Sequence, residues 1–179
     1  MNNALLLLAA CLGAFLFGVV SAFWGMVVPE LEKKLGRAAT ILLANSLGLV
    51  IGSLVAGPLI DRAGNKLVLA AGVALVAAAI FGLGRVGSIG SGFVMAMMVG
   101  AGGSAIVTAA NTLVAEITSD ATRGLWSNIT NNFFAVGAFI APIVLARLIA
   151  GGATLKRIAT LLAVIGAAVC LYYLLLSFP

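Results

Sequence analysis

The side chains able to do chemistry in this chain are few, and their types suit hydrogen bonding and charge pairing better than bond breaking. Ten lysines and arginines accompany five carboxylates, histidine is absent, and the two cysteines stand far apart at Cys11 and Cys170. With no histidine and two distant thiols, neither a protein metal cage nor a disulfide is expected, and no cofactor is implied. One short run concentrates charge: Gly57-Pro58-Leu59-Ile60-Asp61-Arg62-Ala63-Gly64-Asn65-Lys66. Asp61 can accept hydrogen bonds from a helix N-terminus, whose partial positive charge favours a carboxylate. Arg62 and Lys66 can pair with Glu116 or Asp120, close to Arg123. Gly57 would permit close helix approach, and Gly64 the unusual backbone angle of a very short turn. A second set is neutral. Asn45, Asn111, Asn128, Asn131 and Asn132 offer amide donors and acceptors, and Trp24 offers a flat face. Such a lining suits an uncharged polar solute such as a sugar; the plainer alternative is that some of these amides only bridge neighbouring helices.

The elements that must carry these residues follow from composition. Of 179 residues, 63% are hydrophobic and 8% charged, against roughly a quarter charged in a soluble domain, which excludes an ordinary globular enzyme. The apolar residues form runs long enough to cross a hydrocarbon core of about 30 Å as helices. Six spans are expected: Ala4–Val28, Ala39–Ile60, Leu67–Gly84, Ser91–Ile117, Leu125–Leu145 and Ile158–Leu176. Helices satisfy their own backbone groups in lipid, and the strand alternation of a barrel is missing. The expectation is an all-α integral membrane protein, a single six-helix transmembrane domain over residues 1–179. Val20-Ser21-Ala22 has the look of a signal cleavage site, but Met1-Asn2-Asn3 carries no positive side chain and the run exceeds a signal core. The formal net charge of +5 bears on lipid headgroups and orientation and not on nucleic acid.

Polarity is uneven among the spans. The third holds nothing more polar than glycine, and the sixth ends in Tyr172 and Tyr173, which suit an interfacial aromatic belt; both read as lipid-facing supports. The other four carry the amides and hydroxyls and should face protein or an aqueous cavity. Small residues recur every four positions as Gly48, Gly52, Ala56 and as Gly100, Ser104, Thr108. These stripes suit packing within one bundle or a sliding interface with another. Displacing the chain by 86 positions aligns Val28, Glu30, Arg37, Asn45 and Val50 with Val114, Glu116, Arg123, Asn131 and Val136, a faint repeat of three helices, which would be inverted.

The run from Gly57 to Lys66 closely resembles the signature between helices two and three of the major facilitator superfamily, roughly G-x-L-x-D-R-x-G-R-K. Gly57, Leu59, Asp61, Arg62, Gly64 and Lys66 match, and Asn65 replaces the usual arginine. Glu116 through Arg123-Gly124 resembles the family's loop between helices four and five, and Gly137-Ala138-Phe139-Ile140-Ala141-Pro142 is a loose relative of its glycine–proline motif. The resemblance implies one six-helix half, two inverted three-helix repeats, of a transporter that carries a small solute by alternating access. Gly57, Asp61, Arg62, Gly64, Lys66, Glu116 and Arg123 would form a cytoplasmic latch. The alternative for the charged turn is a mere topology anchor. One half leaves polar helices facing lipid, where unpaired amides are costly, so a partner is expected: a second copy in a homodimer, or a separate six-helix half.

Two departures from the family pattern weaken proton coupling. Many proton-coupled members carry an arginine four residues before a glycine in helix four, where this chain has Ala96 before Gly100; some sugar–proton symporters carry an aspartate late in helix one, where Gly25 stands. Facilitated diffusion is at least as plausible. Family topology in the inner (plasma) membrane would put both termini and the Asp61 turn in the cytoplasm. Only Arg62, Lys66 and Arg123 would then be inside, with seven bases outside, the reverse of the positive-inside rule. A non-transporting subunit that stabilises another membrane protein is the rival reading.

Overall fold

The computed structural model describes residues 3–178, apart from the side chains of Leu35 and Ala38. Five helices make up nearly all of it: α1 (Asn3–Leu35), α2 (Ala38–Leu83), α3 (Ile89–Ile117), α4 (Asp120–Ala150) and α5 (Leu155–Leu175). Each is long and apolar enough to cross a membrane, and the chain is a multi-pass membrane protein.

Six separate spans are expected from the sequence, and five helices are found, because the second and third expected spans share α2. A straight helix of 46 residues would be about 69 Å long, more than twice a hydrocarbon core. It is broken instead at Gly64, whose φ of 79° and ψ of 162° lie in a region essentially closed to other residues. The 38–63 and 65–83 arms pass α3 in opposite senses. A Cβ at Gly48 would overlap the Met97 carbonyl and one at Gly52 would meet Ala101 and Ser104. In the other arm Gly72 sits against Gly102 and Ile106, and Gly82 against Met95. The expected loop Asp61–Lys66 is therefore helical on both sides of a single residue. Helix ends elsewhere also outrun the apolar segments: α1 continues through Pro29, and α4 starts at Asp120. Charged side chains end an apolar run without ending a helix.

The two small-residue stripes lie against each other inside the bundle. Gly48 and Gly52 meet the backbone of α3, and Gly100 meets the Asn45 carbonyl, so packing within one bundle accounts for them. A second close crossing joins α1 to α4, where Gly18 faces the Phe134 carbonyl and Gly137 the Phe15 carbonyl.

The division into inner and outer helices differs from expectation. The 65–83 arm, expected to face lipid, is the most enclosed: Leu69, Val73, Val76, Ala79 and Ile80 are buried between α3 and α5. The 38–63 arm and α4 expose long rows of large apolar side chains, with Leu54 at 72% and Phe139 at 74%. Residue polarity was a poor guide because Ala, Gly and Val, which fill the third span, pack closely enough to bury a whole helix. Tyr173 is also buried rather than interfacial. Its hydroxyl donates to the Ala9 carbonyl at 2.9 Å, and Tyr172 donates to Leu5 at 3.3 Å, tying the end of α5 to the start of α1.

Candidate functional site: a mid-helix cavity and a charged turn

Two cavities collect the polar residues. The first, about 230 Å³, lies where α1, α3 and α4 meet, and is lined by Ala14, Phe17, Val107, Ala110, Asn111, Thr130, Asn131 and Phe134. Phe17 and Phe134 fall about halfway along their helices, with ring centroids 5.6 Å apart and planes tilted at 47°. The Phe17 ring lies on the backbone of α3 at Gly103, where any Cβ would overlap it. Asn111 donates to the Val107 carbonyl at 3.0 Å, which leaves its side-chain oxygen uncommitted to that bond. Thr130 is buried with its hydroxyl 3.8 Å from the Cys11 sulfur. The cavity presents amides, a hydroxyl and two phenyl rings, and no charge.

Of the six residues expected to contact solute, the structure brings together Asn111 and Asn131. Asn128 and Asn132, exposed on α4 as Asn131 is, do not line the cavity. Trp24 and Asn45 lie outside the cavity, yet the Trp24 Nε1 and Asn45 Oδ1 atoms are buried without hydrogen-bond partners. Phe17, Phe134 and Thr130 are the additions. Their sequence signal was slight, since phenylalanine is the commonest aromatic here and only the helix crossing singles these two out.

The second cavity, about 470 Å³, lies at the Gly64 break and is lined by Ile60, Asp61, Gly64, Asn65, Thr112, Ala115, Glu116 and Arg123. The charge pairing differs from expectation. Glu116 accepts a 2.7 Å hydrogen bond from the Asn65 amide nitrogen, not from Arg62 or Lys66. Asp120 pairs with Arg123 at 2.8 Å, one turn along the same helix. Among the described residues Arg62 and Lys66 make no ion pair, and Asp61 is exposed. The physical reason is reach: Asn65, next to the break, is turned inward toward α3 and only 6% exposed, whereas Arg62 projects outward. Gly57 has open space where a Cβ would stand, so it is not the site of close helix approach; Gly64 does hold the expected special backbone angle.

A sequence model of the Major Facilitator Superfamily matches residues 6–179. The chain belongs to the Major Facilitator Superfamily. It is 34% identical over 143 residues to the 4-hydroxybenzoate transporter PcaK of Pseudomonas aeruginosa, a match covering 75% of this chain and 31% of the relative. Its fold superposes on a point variant of the Escherichia coli fucose:proton symporter FucP with a TM-score of 0.76 at 21% identity, covering 97% of this chain and 49% of the symporter. The chain thus spans less than half of the length of these superfamily members. Within the superfamily signature, the one departure, Asn65, is the residue that engages Glu116.

Proposed function

We propose that this chain forms a six-pass half of a superfamily transporter, with the α2 arms as its second and third passes, and that it moves a small neutral solute by alternating access. The observation that carries the reading is the uncharged cavity among Phe17, Asn111, Thr130, Asn131 and Phe134, halfway along the helices, where transporters of this architecture hold solute. Its volume lies below the roughly 300–1,000 Å³ of drug-sized sites, which restricts it to a small molecule. A sugar would bring a hydroxyl on nearly every carbon, and each unpaired one is costly to bury; three polar side chains are too few. A flat ring with one or two polar substituents suits the two phenyl faces better, and the aromatic compound in the name of PcaK points the same way. The lining has no cation to hold a carboxylate, so a neutral ring compound is the expected solute.

The apolar face of the 38–63 arm and α4 supports pairing with a second six-helix half, most simply a second copy about an axis along the membrane normal. In that arrangement Asp61 approaches the start of the partner's α4, and the Gly64 turn with Glu116 and Arg123 closes the cytoplasmic end of the inner membrane protein. The inverted repeat has support in the positions of Glu30 and Arg37, at the opposite end of the bundle from Glu116 and Arg123. The rival, a non-transporting subunit, draws on the absence of a cation beside Gly100 and of an acid near Gly25. Reconstitution of the purified chain in liposomes, with labelled phenols, 4-hydroxybenzoate and sugars, decides between them. Uptake of the neutral phenols that falls at least tenfold in Asn131→Leu is expected; no uptake of any compound by the lone chain would defeat the homodimer. Cysteines replacing Asp61 and Leu125 should crosslink between protomers, and chiefly intrachain products would count against the pairing. A pH gradient that drives accumulation, abolished by Glu116→Gln, would overturn the reading of facilitated diffusion.

A further inference from the structure

Among the described residues, the end of the bundle remote from Gly64 carries a surplus of positive charge. Lys33, Lys34, Arg37, Arg85, Arg147, Lys156 and Arg157 are all exposed there, against Glu30 and Glu32. Three of them form a continuous strip across three elements. Lys34 at the end of α1 donates to the Val86 carbonyl in the α2–α3 turn. Arg85 in that turn reaches α5, donating to the Thr160 hydroxyl at 3.1 Å, with its guanidinium carbon 3.5 Å from the centre of the Phe81 ring. Gly84 stands directly against the backbone of Lys156.

Helix dipoles account for some of these cations but not all: Lys33 and Lys34 close α1, Arg147 closes α4, and Arg85, just past the end of α2, donates to the Phe81 carbonyl at 2.8 Å, all at negative ends. Lys156 and Arg157 occupy the first turn of α5, which has no acidic residue, so they oppose the positive end of its dipole. An external anion would relieve the cations at the start of α5 and the surplus of seven bases over two acids around them. They lie where an apolar helix meets the headgroup layer, and Phe81, 44% exposed, places an apolar ring directly beneath the Arg85 head. A molecule with an anionic head and an apolar tail matches that pairing.

We propose that the strip Lys34–Arg85–Lys156 binds the headgroup of an anionic phospholipid, whose chains lie along the exposed side of Phe81. The test uses the full chain in neutral detergent, with thermal unfolding followed as phosphatidylglycerol or phosphatidylcholine is added. Phosphatidylglycerol should raise the midpoint at concentrations where phosphatidylcholine does not. In the triple variant Lys34→Gln, Arg85→Gln, Lys156→Gln the apparent affinity should fall roughly a hundredfold, at about 1 kcal/mol per charge. The opposite-end triple Arg62→Gln, Lys66→Gln, Arg123→Gln should keep it. Should the first triple fail to fold, the wild-type protein still decides: its response must weaken as sodium chloride is raised. An equal effect of soluble glycerol phosphate would overturn the proposal in favour of a free-anion site. Equal stabilisation by both lipids, or equal loss in both triples, would overturn it altogether.

Discussion

The two ends of the bundle solve the same problem, turning an apolar chain around in headgroup territory, in opposite ways. At the Gly64 end three bases and three acids coexist, the reversal uses one glycine, and a buried amide holds a carboxylate. At the other end seven bases meet two acids, and conventional caps start the helices, Ser88 for α3 and Thr154 for α5. A self-neutralised end holds together by short-range bonds that are broken and remade at little electrostatic cost. A charged end depends on its surroundings. The first suits a gate and the second an anchor, so their positions relative to the membrane matter most.

Orientation gives the largest effect, because it is all or none. The proposed latch requires the Gly64 end in the cytoplasm, while the count of bases favours the reverse. In a background with Cys11 and Cys170 replaced by serine, a membrane-impermeant thiol reagent applied to intact cells should label Lys156→Cys and spare Arg62→Cys. The opposite pattern would make the basic end the cytoplasmic one and defeat the proposed gate at the Gly64 turn. Next in size is the backbone at the turns. Gly64→Asn should cost about 1–3 kcal/mol, since its φ and ψ admit essentially only glycine even though space for a Cβ is open. Gly36, at the other end, has φ +67° and closes α1 by donating to the Glu32 carbonyl. Asparagine is tolerated at such helix ends, so Gly36→Asn should cost under about 1 kcal/mol. Denaturation in mild detergent compares the two, and equal losses would mean that Gly64 is an ordinary turn residue.

How far the sequence disclosed this contrast depends on which property decided each element. That the chain would be filled by long apolar helices was legible because hydrophobic length decides it, although two of the six expected spans share α2; legible too was the special role of Gly64, flanked by charge in a run too short for a loop. The enclosed position of the 65–83 arm was not legible. Its alanines, glycines and valines are equally compatible with lipid and with α3, and only their fit against Gly102 and Ile106 distinguishes the two. The amides were half legible: Asn111 of α3 and Asn131 of α4 share a cavity, but Asn128 and Asn132, on the same helix as Asn131, do not line it. The partner of Glu116 was missed because formal charge pointed to Arg62 and Lys66, whereas direction along the helix selected Asn65.

That pair gives an effect of intermediate size. Glu116→Ala leaves the buried Asn65 amide nitrogen without its acceptor, at about 1–3 kcal/mol. Glu116→Gln keeps an acceptor and should recover most of the loss, while Arg157→Gln at the exposed opposite end should stay within about 0.5 kcal/mol. If alanine and glutamine at 116 proved equally harmful, charge rather than the hydrogen bond would be holding the Gly64 end together.

The smallest effect isolates the helix dipole, because the same feature carries opposite charge at the two ends. Asp120 opens α4 and Lys156 lies in the opening turn of α5. Asp120 also pairs with Arg123, but the two are 92% and 47% exposed, so water and salt leave that bond little strength. Arg123→Gln removes the pair alone and should change stability by no more than a few tenths of a kcal/mol. Asp120→Asn removes the pair and the favourable dipole interaction together and should be slightly worse. Lys156→Gln removes an unfavourable one and should be neutral or slightly stabilising in neutral detergent. Added phosphatidylglycerol should reverse that last sign, since the lysine then gains the headgroup that its position otherwise lacks. A lysine whose removal destabilises equally with and without anionic lipid would instead belong to the packing of α5, and the two ends would differ in charge without differing in kind.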